Sequence, residues 1–122
     1  MNNWSGTGVV GQDPKLEYVG ANKQAKLSFS MAVYRSKDVT DWFQIEMWGT
    51  NFNGNVNNKR PLMYASRLMK GSRIGVTGPI WFNKYKDKIY TKCNANNIDL
   101  ISNLRDTQHQ PHIEVQSDDL PF

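Results

Sequence analysis

An all-β fold is predicted by three features of this sequence: apolar residues alternate with period two over several stretches, glycines sit inside one of those stretches, and a single segment has helical spacing. The first strand is short, over residues 7–11, and Asp13-Pro14 makes a turn before Leu16-Glu17-Tyr18-Val19. Between residues 26 and 34, Leu27, Phe29, Met31 and Val33 point one way while Ser28, Ser30, Ala32 and Tyr34 point the other, as in a half-buried strand. A polar connection over residues 35–41 suits a hairpin. The next run repeats the pattern, with Phe43, Ile45 and Met47 on one face and Trp42, Gln44, Glu46 and Trp48 on the other. Five asparagines among residues 50–58 read as a loop. A helix follows, with Pro61 at its first helical position after Asn58 or a nearby cap, and Leu62, Ala65 and Met69 (Leu68 beside them) at helical spacing. Lys70 favours its C-terminal end and Gly71 supplies the left-handed stop. Residues 73–82 alternate again, with Ile74, Val76 and Ile80 inward, and Gly75 and Gly78 inside the run mark a bulge or sharp bend. The last strand covers residues 89–95 and ends near Ile98 and Leu100.

Five bent strands with one helix between the third and fourth describe an OB-fold, a five-stranded Greek-key barrel. A generic β-sandwich is the alternative, in which the interior helix would be unusual. The 122 residues fit one domain. Residues 1–102 form it, and residues 103–122, where periodicity disappears, form a flexible tail.

The net charge is +4, divided as +7 over residues 1–102 and −3 over residues 103–122. A basic body with an acidic end fits a polyanion-binding domain with an interaction tail, and it also fits an ordinary solvated surface. No apolar run approaches the ~20 residues needed to span a bilayer, so no membrane partner is expected. The opening residues lack the pattern of a secretory signal, which points to a cytoplasmic protein. Cys93 is alone, which excludes an intrachain disulfide and a cysteine-based zinc knuckle, and it reads as a small buried apolar side chain. Both histidines, His109 and His112, fall in the tail, and neither metal-ligand spacing nor a phosphate-cradling glycine motif occurs. No catalytic, metal or cofactor site is expected, and a binding module is favoured over an enzyme.

The aromatic residues point to what is bound. Trp42 and Trp48 lie on the strand face opposite Phe43, Ile45 and Met47, so both indoles face solvent if that triplet fills the barrel. Unpaired bases can stack on such rings at ~1–3 kcal/mol each, whatever their identity. The indoles could equally cover a subunit interface or pack under the Asn-rich segment. Tyr85 lies at a hairpin tip between Lys84 and Lys86, where lysines can meet phosphates, and Tyr34-Arg35 makes a second such pair. At the chain end, Asp118-Asp119-Leu120-Pro121-Phe122 combines two acids, a proline and a terminal aromatic, a peptide suited to a basic pocket with an apolar slot.

The run from Gly8-Val9-Val10-Gly11-Gln12-Asp13-Pro14 to Tyr18 resembles the opening of the bacterial single-stranded DNA-binding protein family. Phe29-Ser30-Met31-Ala32-Val33 resembles that family's second strand, and Thr40-Asp41-Trp42 with Trp48-Gly49 its third. Lys70-Gly71-Ser72-Arg73-Ile74 with Gly78-Pro79-Ile80 resembles the fourth, and Tyr90-Thr91 with Ala95-Asn96-Asn97-Ile98 the fifth. The acidic Leu-Pro-Phe ending resembles the family's tip. The resemblance implies single-stranded DNA as partner, stacking by Trp42, Trp48 and Tyr85, and phosphate contacts by Lys84 with Lys70 or Arg73. It also implies a homotetramer, and a tip that docks replication, recombination and repair proteins. The chain departs from the family in a longer 50–61 segment, a short 36–40 hairpin, Gln44 where a basic residue is common, and a brief tail. The competing classes are an oligomeric OB-fold adaptor, an RNA-binding module and a small nuclease.

Overall fold

The computed structural model describes residues 1–103. The strands are β1 (Trp4–Val10), β2 (Lys15–Val19), β3 (Gln24–Ser36), β4 (Val39–Trp48), β5 (Thr50–Phe52) and β6 (Asn55–Asn57), followed by helix α1 (Lys59–Arg67). After it come β7 (Arg73–Gly78), β8 (Ile80–Tyr85), β9 (Lys88–Asn94) and β10 (Asn97–Ser102). The alternation of β3 and β4 resolves as expected. Leu27, Phe29, Met31, Ile45 and Met47 are buried, and their neighbours along each strand face outward.

Hydrogen-bonded pairing runs β10-β7-β1-β3-β4-β9-β8, with β2 added to β3. Two of the five expected strands are each broken into a pair, β7–β8 at Pro79 and β9–β10 at Ala95-Asn96, and each half pairs at a different end of the path. The path therefore meets the same two bent strands at both ends, which closes the sheet into an OB-fold barrel. The single run expected over residues 73–82 is interrupted because Pro79 has no N–H to give the ladder. The bend falls at Gly78 and not at Gly75, which lies inside regular β7. A Cβ on Gly78 would come within 2.2 Å of the Asn94 carbonyl oxygen, so only glycine lets the two bent strands cross at this corner.

The 50–58 segment is not a loop. It folds into the β5–β6 hairpin around Asn53-Gly54, both with positive φ (51° and 83°), the backbone of a type I′ turn. Asn58 ties its base to the barrel, since its Oδ1 accepts from Ala25 N at 2.8 Å and its Nδ2 donates to Lys23 O at 2.9 Å. Asn58 therefore sits at the N-cap of the helix without a side-chain cap hydrogen bond. Asn57 Oδ1 accepts from Lys59 N at 3.0 Å, and Pro61 is the third helical residue, not the first. The helix ends at Arg67, so Met69 and Lys70 lie beyond it. Its buried stripe is Pro61, Tyr64 and Leu68, whereas Leu62 is exposed. The i, i+3, i+7 spacing of that stripe is helical too, but it is offset by one position from the face expected from the sequence.

Tyr64 and Leu68 complete a core built from Val10, Leu27, Phe29, Met31, Ile45, Met47, Ile74, Val76, Cys93 and Ile98. At one end Trp4 stacks on Phe43, with centroids 4.5 Å apart and planes 20° from parallel.

Candidate nucleic-acid interface

Register places the outward side chains on a grid. Ser30 of β3 is opposite Gln44 of β4, Gln44 is in step with Lys92 of β9, and Lys92 is opposite Trp81 of β8. On one side of that row, Ala32 faces Trp42 and Tyr90 faces Asn83; beyond them Tyr34 faces Thr40 and Lys88 faces Tyr85. On the other side, Ser28 faces Glu46 and Lys26 faces Trp48. Adjacent strands are about 5 Å apart and rows about 7 Å. Trp42, Trp48, Trp81, Tyr34, Tyr85 and Tyr90 thus share one outer face of the barrel and its β8–β9 wing.

Trp42 is 46% exposed. Its ring reaches back across β3, and a Cβ at Gly11 would approach it within 2.6 Å. Ala32, though outward by register, is 2% exposed, as expected beneath such an indole. The β4–β9 pairing stops at Phe43 and Thr91, where a groove of about 490 Å³ opens with Trp42, Tyr90 and Gln44 on its walls. Trp48 lies roughly 20 Å along β4 from Trp42, six residues at about 3.3 Å each. Its indole Nε1 donates to Glu46 Oε1 at 3.3 Å, and Lys26 Nζ sits 5.6 Å above the ring, a cation–π contact. Glu46 Oε2 also pairs with Lys92 Nζ at 3.5 Å.

The expected residues are only partly brought together. Trp42, Trp48, Tyr34 and Tyr85 share the face. Lys86 is in the wing turn, with Nζ 5.3 Å above the Tyr85 ring. Lys84 is opposite Ile89 and has the parity of partly buried Ile80 and buried Cys93, so it points to the other side of the wing from Tyr85. Arg73 faces outward in step with Val9, which is opposite Ala32, and so continues the Trp42 row across two strands. Lys70 lies outside the grid, on the chain between α1 and β7, with its backbone N–H held by Asp13 Oδ1 at 2.9 Å. Arg35 is engaged by Asp41, its Nε donating to Oδ2 at 3.0 Å. That hydrogen bond lowers the Asp41 pKa and raises that of Arg35. Sequence reasoning missed Trp81, Tyr90, Lys26, Lys88 and Lys92. Strict parity within the β8–β9 hairpin carried the signal, but only once the turn is set at Lys86-Asp87. The tip Asp118, Asp119, Leu120, Pro121 and Phe122, like His109 and His112, lies outside the described residues. Among the described residues no group of three or more His, Cys, Asp or Glu could hold a metal ion, and no helix is long and apolar enough to cross a membrane.

Comparison with known proteins agrees with the fold. A relative from Thermosynechococcus vestitus, a single-stranded DNA-binding protein, is 29% identical over 82% of this chain and 82% of its own length. Single-stranded DNA-binding protein 1 of Synechocystis sp. is 28% identical over 81% and 82%. Among solved structures, the SSB domain of a Synechococcus sp. protein superposes with a TM-score of 0.63 at 13% identity, covering 81% of this chain and 94% of that one. The wild-type single-stranded DNA binding protein of Thermus aquaticus gives 0.62 at 19%, covering 84% and 41%. At those identities the structures speak for the fold alone. The model of the single-strand binding protein family matches residues 1–101, the whole barrel, and the chain belongs to that family.

Proposed function

We propose that this protein binds single-stranded DNA without sequence preference, protecting unwound strands. The observation that carries this reading is the outer face on which three tryptophans and three tyrosines alternate with Lys26, Lys88 and Lys92. Rings take unpaired bases and ammonium groups take phosphates, a combination that suits single strands because duplex bases hide their faces. Residues 1–102 are the binding domain. Residues 103–122 are a tail whose Asp118-Asp119-Leu120-Pro121-Phe122 tip recruits replication, recombination and repair proteins, and the chain self-associates as a homotetramer. No cofactor or catalytic step is part of this activity. The relatives' names support the DNA class.

The test is an anisotropy titration of a labelled oligo-dT, repeated with oligo-dA, an RNA oligomer and a duplex of equal length. Comparable binding of both DNA oligomers with weak binding of the duplex is expected. Preferential binding of RNA, or of the duplex, overturns the proposal.

A further inference from the structure

A carboxylate on a phosphate-binding face is an electrostatic anomaly. The outer grid holds two close to its aromatic rings, Glu17 and Glu46, and the two are placed differently. Glu17 is opposite Lys26 on β2, and its side chain is 39% exposed and paired with Lys15 at 3.2 Å. It touches no ring. Glu46 has a side chain only 16% exposed, between Ser28 and Asn94 by register, with each carboxylate oxygen engaged by a member of the interface. Oε1 accepts the Trp48 indole proton at 3.3 Å, and Oε2 meets Lys92 at 3.5 Å. Trp48 and Glu46 are two residues apart on one strand, so they are side by side on one face and the hydrogen bond fixes the indole's rotation about its own side-chain torsions.

We infer that Glu46 is a positioning residue for the interface: it holds the Trp48 ring in one orientation, ready to receive a base, while Lys92 offsets its charge. An aromatic platform that is already ordered loses less side-chain entropy on binding than one free to rotate. Lys26, above the ring, narrows the orientations further. The consequence reverses simple charge reasoning. Removing this carboxylate weakens binding of a polyanion, whereas removing Glu17 does not.

The inference rests on single-stranded DNA as the ligand, and the experiment separates the two. Oligo-dT affinity is measured for the wild-type chain and for Trp48→Ala, Glu46→Ala, Glu46→Gln and Glu17→Ala, with the circular dichroism melt of each confirming the fold. Glu46→Ala is expected to bind about five-fold more weakly, the worth of one ordinary hydrogen bond. Glu46→Gln keeps an acceptor for the indole and should bind at least as tightly as wild type. Glu17→Ala should bind equally or more tightly. Indole emission of free Glu46→Ala should also show lower anisotropy than wild type, because Trp48 has gained rotational freedom. If Glu46→Ala binds as well as Glu17→Ala while Trp48→Ala is impaired, positioning by Glu46 is overturned and the DNA reading stands. If Trp48→Ala binds oligo-dT like wild type, Trp48 is no stacking platform and positioning by Glu46 falls while the DNA reading stands. If the wild-type chain does not bind oligo-dT, the DNA reading itself falls.

Discussion

Trp48 is the residue on which the interface can be tested most directly. Its ring lies outside the core, so Trp48→Ala should leave the fold intact and cost about 1–3 kcal/mol of oligo-dT binding, read by anisotropy. Among the cations, parity decides. Lys88 is on the ring side of the wing and Lys84 on the other. Lys88→Ala should flatten the dependence of log K on log salt by about 0.7, one phosphate contact, and Lys84→Ala should leave the slope unchanged. Arg35 is tied up by Asp41. Asp41→Asn releases it, and binding should tighten with a steeper salt slope. These outcomes test the expectation that Lys84 and Lys86 beside Tyr85, and Arg35 beside Tyr34, meet phosphate. Adjacency in sequence puts two strand residues on opposite faces. Trp42 and Trp48 were legible because they share a parity opposite an apolar triplet. Trp81 and Tyr90 were not, because Pro79 and the unplaced wing turn hid the register on which their facing depends.

Elements were legible where burial is one-sided and illegible where it is not. β3 and β4 each present an apolar face to the core, so period two shows in the sequence. β5 and β6 are largely exposed and carry asparagines, so no hydrophobic alternation betrays them. The Asn53-Gly54 dipeptide, a strong turn signal, was the one clue. The β8–β9 turn shows the same backbone with worse residues, since Lys86 and Asp87 hold φ of 48° and 65°. Both sit in a region that costs non-glycine residues of the order of 1 kcal/mol. Asp87→Gly should therefore raise thermal stability by about that amount in a calorimetric melt. If the wing's rings act as a rigid platform, oligo-dT affinity should be unchanged or slightly weaker, because glycine loosens the turn it relieves.

For the molecule as a whole, charge and burial set how stability and binding respond to solvent. Deleting residues 118–122 removes acids from a tail of net charge −3 attached to a body of +7. Oligo-dT affinity should stay equal or tighten slightly, most at low salt, where screening is weakest. The same deletion should abolish capture of replication and repair proteins in a pull-down. Stability should respond to pH through Cys93, whose thiol is fully buried and pushed from its ordinary 9.0 up to about 11 by burial. The unfolded chain gives up that proton near pH 9 while the folded chain keeps it. The contribution of Cys93 should thus be constant below that point and be lost between about 9 and 11, and Cys93→Ala should lack that part of the fall in denaturant titrations. The stacking of Trp4 on Phe43, on the inner side of the barrel, has an optical consequence. Of the four indoles, three face the proposed DNA path and this one does not. Saturating DNA should quench the outer three and leave a residual emission band, removable by Trp4→Phe, that reports barrel integrity in the same cuvette, independently of occupancy.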